Sequence, residues 1–235
     1  MDMECTWEHN GNDSIIYTKE YIGAYVRGEN REAALAKMPA EIASYCSWLD
    51  IPAPGEIKFF LSQEKVSDLN IKDADSDVIL DSEKVILSID EYSRLKDLVL
   101  KSAEDFLRLY NSIPDKDTSC LPQRQTFYGD VPRTAREMYE HTKNVNAYYF
   151  GEIGIEADND GDILSCRKRG FALLEQQPDY LENTVFDGSY GESWSLRKVF
   201  RRFVWHDRIH AKAMYRMACR SFPEAYIPNI FKFNT

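Results

Sequence analysis

From residue 193 to residue 221 apolar side chains return at every third or fourth position, and within that pattern "VWHDRIHAKAMYRMA" (204–218) sets two histidines four apart. The period predicts an α-helix whose apolar stripe is Val199, Phe203, His206, His210, Ala213 and Met217. Such a stripe has to be buried against other elements, and three earlier segments have the same period. Residues 90–112 place Tyr92, Leu95, Leu98, Val99, Ala103, Phe106, Leu109 and Tyr110 on one side and stop before Pro114. A second helix is expected over 131–151, with Asp130 as N-cap and Pro132 in its first turn. A third is expected over 161–182, with Pro178 near its end. Four long amphipathic segments are what a four-helix bundle requires.

The first part of the chain reads differently. "CTWEH" (5–9), "SIIYTKEY" (14–21) and "GAYVRG" (23–28) are short, β-branched or aromatic runs, the first two separated by the turn signal "NGND". Residues 29–49 then carry Ala34, Leu35, Met38, Ile42, Tyr45 and Leu49 at helical spacing, with Asn30 as N-cap and Pro52 and Pro54 beyond the end. "EIKFFLSQE" (56–64) is a further strand, which completes a β-β-β-α-β unit. Residues 66–82 form an acidic connector with a weak strand signal at "VIL" (78–80). The expectation is an α+β chain with a small α/β domain over 1–82 and a helical bundle over 83–235.

Charge follows the same division. Residues 1–90 carry 18 acidic against 8 basic side chains, whereas 91–235 carry 21 of each. The net charge of −10 argues against nucleic-acid binding, which needs a concentrated positive surface. No apolar run reaches the roughly 20 residues that a membrane span requires, and "MDMECTWEHN" lacks the apolar stretch of a signal peptide. Five cysteines, odd in number and without C-x-x-C spacing, fit reduced thiols in a cytoplasmic protein.

The stretch "GAYVRGENREAALAKMPAEIASYCSWL" (23–49), a short strand and Gly28 leading into a helix, resembles the HicB-like antitoxin fold over about residues 3–65. That resemblance implies a small toxin–antitoxin type domain, often attached to a DNA-binding module. No such module is legible in the sequence and the unit is acidic. It is therefore read as an accessory or protein-contact domain.

The histidines give the chemistry. Residues four apart on a helix lie about 40° apart around the axis with Cβ atoms roughly 5–6 Å apart, so His206 and His210 can converge on one ion. His141 falls on the inward stripe Met138, His141, Val145 and Tyr148 of the second helix. A single histidine on an apolar face is ordinarily a hydrogen-bonded core residue. Three of the chain's four on inward stripes of one bundle point instead to a shared metal.

Three segments, "AREMYEHTKNVNAYYFGEIG" (135–154), "GESWSLRKVFRRFVWHDRIHAKAMYRMA" (191–218) and "IPNIFKF" (227–233), resemble the DinB superfamily of metal-binding bundles over about residues 90–235. The resemblance implies an up-down-down-up bundle with a divalent ion held by one histidine of the second helix and an H-x3-H pair of the last. Here these are His141, His206 and His210. Three imidazoles leave positions open to water or substrate. Imidazole accepts zinc, nickel, iron or copper, and the ligand set alone does not choose among them; the expected ion is zinc or nickel, with iron or manganese next.

The family's thiol-dependent isomerases and S-transferases make metal-assisted thiol transfer the leading activity, on a small molecule such as a low-molecular-weight thiol. Hydrolysis of a small substrate is the other catalytic option. A homodimer is compatible with this reading; nucleic acid and membrane are not expected partners. The alternative is an interaction protein whose ion is structural and whose acidic N-terminal unit binds a protein partner. Since no ligand falls in residues 1–65, that unit is expected to be dispensable for the metal. Among neighbours of the histidines, Asp207 and Glu140 are expected to point aside as surface charges. Ser193 is expected as N-cap and Trp194 as a packing anchor. Arg197, Lys198, Arg201 and Arg202 form a basic patch able to hold an anionic substrate, but are expected first as solvated charges or partners of acidic groups, and Tyr148 and Tyr149 as core residues able to donate to a substrate.

Overall fold

The structure, a computed structural model, describes residues 1–73, 76–126 and 129–234. Positions 74–75 of the expected connector and 127–128 of the polar loop before the second bundle helix lie outside the described residues. The chain is α+β, with an N-terminal sheet followed by helices.

Strands β1 (Asp2–His9), β2 (Ser14–Thr18), β3 (Tyr25–Gly28) and β4 (Lys58–Val66) form one sheet in the order β3-β2-β1-β4. β1 runs antiparallel to β2 and parallel to β4, and β2 runs antiparallel to β3. The parallel pairing needs a crossover, which two helices supply: α1 (Arg31–Leu35) and α2 (Met38–Leu49). The sequence predicts one helix over 29–49, and the break has a local cause. Pro39 has no N–H, and its ring would clash with the carbonyl of Leu35, where α1 ends. Asn30 caps α1 as expected, accepting from the Ala33 amide.

Every residue of β2 is buried, because both faces of the sheet are covered. On one face Met3, Cys5, Ile16 and Val26 join Met38, Ile42 and Tyr45 of α2 in the main core. On the other, Ile15 and Tyr17 pack with Ile71, Val78, Leu80 and Trp205. Val78 and Leu80 thus do the burying that the "VIL" pattern announces, but in irregular chain and without ladder pairing.

The second half holds four packed helices: α3 (Ile89–Ser112), α4 (Ala135–Gly151), α5 (Ile163–Leu174) and α6 (Leu196–Ser221). Tyr92 near the start of α3 meets Phe171 near the end of α5 and Phe200 near the start of α6. Tyr110 near the end of α3 stacks on Tyr139 near the start of α4. The Tyr139 hydroxyl accepts from the amide of Ile163, the first residue of α5. α4 and α5 therefore run together, opposite to α3 and α6. α3 and α4 each pack against both α5 and α6.

Helix ends differ from the expected ones for identifiable reasons. α4 begins at Ala135, because Thr134 and Glu137 form a capping box that Asp130 cannot offer; Asp130 sits in a two-residue strand pairing with Gln125. α5 stops at Leu174, four residues before Pro178, whose ring excludes continuation. α6 is capped by Ser195, which accepts from the Lys198 amide, rather than by Ser193. Trp194 is fully buried, as its reading as an anchor required.

The sheet rests directly on α6. Gly23 has φ +84°, and a Cβ there would lie 2.6 Å from Val204 Cγ1, so glycine permits both the turn and the close approach. Tyr17 and Tyr25 meet Trp205 edge-on, each with ring centroids 6.2 Å apart. Arg208 of α6 donates to Glu41 of α2 at 2.6 Å, both buried. Residues 1–65 are therefore not a bystander to the histidine helix, as the position of the ligands alone suggests. Removing them exposes Trp205 and strips Arg208 of its counter-ion.

Glu8 ties the connector to the sheet. It is fully buried and accepts from Ser76 Oγ at 2.6 Å and from the Asp77 amide at 2.9 Å. Burial, with a side-chain hydrogen bond to Asp77, pushes its carboxyl from 4.5 up to about 7. The folded chain then holds this proton where the unfolded chain has released it. Stability from this group is full below about pH 4.5 and is lost as pH rises through about 7. Glu8→Gln should remove that dependence. Between pH 5 and 7.5 the wild type should lose on the order of 1–3 kcal/mol relative to the variant in urea denaturation. Parallel stability curves would refute the assignment.

Candidate metal centre

α4 and α6 run antiparallel in contact, which brings the early turns of α4 beside the middle of α6. There His141, His206 and His210 meet. Their ring centroids are 5.0 Å (141–206), 4.7 Å (141–210) and 4.6 Å (206–210) apart. One ligand atom from each lies within 4.8 Å of the other two. The fourth histidine, His9, is elsewhere, stacked on Trp7 and bonded to Glu64.

The residues fit a divalent ion on two counts. His141 Nε2 and His206 Nε2 are 3.1 Å apart, close to the roughly 3.3 Å that two nitrogens at zinc–imidazole distance adopt around a tetrahedral ion. The group is compact enough that drawing in all three rings takes side-chain rotation rather than backbone movement. The second count is polar satisfaction. His206 is buried and its Nδ1 has no hydrogen-bond partner among the described residues, in a cluster that shares the single Nε2–Nε2 contact. A cation held at Nε2 leaves that Nδ1 as it is; what it satisfies is the Nε2 side, where two neutral imidazoles 3.1 Å apart share one donor–acceptor contact and an ion would take both lone pairs.

All three imidazoles are held neutral. Burial, then the neighbouring His210 and His141, pushes His206 well below its ordinary value. Burial, then His141, lowers His210 to about 3, and burial alone lowers His141. Neutral imidazole is the form that binds metals. His141 corrects the expectation of a core position: it is the most exposed of the three and is reached from a cavity, although protein atoms crowd it enough to disfavour its charge.

That cavity holds about 610 Å³ and reaches from the three histidines past Val145, Tyr148 and Ile209 to Tyr25 and Arg27 on the sheet edge. Its size is that of a small-molecule site. Tyr148 and Tyr149 both line it, with Tyr149 6.1 Å from His206 between ring centroids. Burial raises both phenols, so they are protonated donors at neutral pH. Arg202, one turn before His206, lies over Trp205 at 4.7 Å, Tyr149 at 5.4 Å and Trp194 at 5.5 Å. It donates to the Ser76 carbonyl at 2.6 Å and faces the same space. Glu192 lines it too, held by Lys198 at 3.1 Å.

One charge reading is corrected. Asp207 is not on the surface: it is fully buried and paired with Arg167, also fully buried, at 2.6 and 3.2 Å. Helix angle alone placed it away from the ion; what lies on that side is α5, not solvent. The basic group on α6 takes the second of its two expected states, pairing with acidic groups, except Arg202, which donates to the Ser76 carbonyl. Arg197 meets Glu91, Lys198 meets Glu192 and Arg201 meets Glu83, with Lys198 and Arg201 buried. Glu140 does point aside, to Lys143 at 3.0 Å. The contributions of Arg27, Lys72 and Arg124 to the cavity had no signal in the sequence, because they come from β3, a short turn and a loop. Of the cysteines, all five are free, and burial drives the Cys5 thiol up to about 12, so it is inert.

No protein-family model, curated protein or solved structure matches this chain. The site is therefore argued from its own geometry. No helix among the described residues is long and apolar enough to cross a membrane.

Asp207→Ala should destabilise the fold by about 3–5 kcal/mol in urea denaturation, because it leaves Arg167 charged and unpaired in the interior. Arg167→Met combined with Asp207→Leu should recover most of that loss. A single substitution costing under about 1 kcal/mol would show that the pair does not hold α5 to α6.

Proposed function

We propose that this chain is a DinB-like metal-binding protein in which His141, His206 and His210 hold one divalent ion, zinc or nickel, that acts on a small molecule. The observation that carries this reading is the convergence of three imidazoles from two helices on the wall of a cavity of about 610 Å³. The helix directions support it, since α3 up, α4 and α5 down and α6 up is the arrangement that the resemblance implies. The fusion to a HicB-like unit is part of the same reading, supported by the strand and helix order over residues 2–66.

A bound divalent ion supplies Lewis acidity, bringing a coordinated water toward a pKa of ~7 or holding a thiolate. The residues around it divide the remaining work. Tyr148 and Tyr149 offer phenolic hydrogens to a substrate oxygen. Arg202, fixed by three aromatic rings and the Ser76 carbonyl, offers a permanent positive charge one helical turn from His206. The carboxylate of Glu192 can accept a proton in the same cavity. The set suits transfer of a small thiol or hydrolysis of a small ester or amide. The competing reading, a structural ion in an interaction protein, is disfavoured by the exposure of His141 to the cavity.

Protein purified without a histidine tag and dialysed against zinc should carry one ion per chain by elemental analysis. His206→Ala should lose most of it, and His9→Ala should keep it. Chelation should leave the circular dichroism spectrum folded if the ion serves chemistry, and should melt the helices if it serves structure. A His206→Ala protein that retains a stoichiometric ion would overturn the site.

A further inference from the structure

The same cavity has an unexpected sign. The chain carries a net charge of −10, yet six cations line this space: Arg27, Lys72, Arg124, Arg202, Lys212 and Arg216. Against them stand three carboxylates, Asp73, Asp130 and Glu192. Asp73 is taken by Arg124 at 2.5 Å and Glu192 by Lys198. Arg27 donates only to backbone, the carbonyls of Ile71 and Lys72, at 3.0 and 2.8 Å. Lys72, Lys212 and Arg216 make no ion pair among the described residues. Lys72, Arg124 and Arg216 stand at the solvent-exposed mouth and Arg27, Arg202 and Lys212 are half-buried, so the opening carries a positive potential that favours a ligand of opposite charge.

Their placement is specific. Lys212 and Arg216 sit one turn apart on α6, and Arg216 lies six residues beyond His210, about 9 Å along the helix axis. Lys72 approaches from the turn that Arg27 and Arg124 hold in place. Arg202 stands on the other side of the histidines, so the charges are not one cluster around the ligand set but a separate end of the cavity.

We infer that Lys72, Lys212 and Arg216 form a subsite for the anionic group of the substrate, a carboxylate or phosphate, at a level of α6 about 9 Å along the helix axis beyond His210. This deepens the proposed function, on which it rests for the reacting end of the molecule. It narrows the substrate to an anionic small molecule long enough to reach both ends, with its reactive group at the imidazoles and its charge at Arg216.

The test is calorimetric titration of the full chain with inorganic phosphate, and separately with succinate, at constant ionic strength. Saturable binding is expected with both. Lys212→Gln combined with Arg216→Gln should weaken it about tenfold or more, since each lost charge-assisted contact is of that order. Arg136→Gln, an exposed pair with Asp117 outside the cavity, should leave affinity unchanged. The Lys212→Gln/Arg216→Gln protein should still bind one zinc ion. His206→Ala should lose zinc but keep anion affinity within about twofold. Absence of saturable binding, or binding indifferent to the double substitution, overturns the subsite. So does anion binding that disappears in a His206→Ala protein whose circular dichroism is native, since the anion then sits at the histidines. Anion binding in a wild type that never takes up metal refutes the metal reading and leaves the subsite standing.

Discussion

A long helix surrounded on most sides by protein cannot leave its buried charges unpaired, and α6 has four of them. Lys198, Arg201, Asp207 and Arg208 are all buried. Each has to find an opposite charge, because an isolated buried ion costs several kcal/mol. The partners come from different parts of the chain: Glu192 before the helix, Glu83 just after the connector, Arg167 of α5 and Glu41 of α2. Ion pairs of this kind add little net stability over an apolar packing of equal volume. Their directionality is what matters, since each fixes the side of α6 on which one neighbour must sit.

That constraint explains how one helix serves two purposes. Arg201 and Arg208 bind α6 to the connector and to the helix under the sheet, while Asp207 binds it to α5. The face left between these contacts carries Arg202, His206, His210 and Arg216 and opens on the cavity. His206 sits between Trp205, pinned by Tyr17 and Tyr25, and Asp207, pinned by Arg167. With both neighbours locked, the stretch of α6 backbone that carries the imidazole is fixed in place, which is the preorganisation a ligand position needs.

The sheet contributes to the site as a wall. Tyr25 and Arg27 of β3 line the cavity, and the turn at residues 71–73 that follows β4 adds Lys72. An acidic chain therefore presents a basic cavity wall to a ligand. Net charge describes the outer surface and solubility, whereas a binding site responds to the few charges that face it.

Much of the local structure was legible in the residues. The periods of α3 and α6, the cap at Asn30, the strand order along the chain and the separate apolar stripes that carry His141 and the pair His206 and His210 all follow from neighbours within a turn or two. Where helix ends were misread, the signals were local as well: Pro39 and Pro178 act on carbonyls four residues earlier, and Thr134 with Glu137 outcompetes Asp130 as a start. By contrast, the burial of Asp207, the cavity face of His141 and the pairing of β1 with β4 were set by elements far away in sequence. Helical angle tells which way a side chain leaves its own axis, but what it meets there depends on the neighbouring helix. Sequence alone determined that α6 would carry a metal-competent pair of imidazoles on a buried stripe. Only the tertiary packing decided that His141 would meet them, and that Arg27, Lys72 and Arg124 would close the same space, because those contacts join segments whose proximity no local pattern encodes.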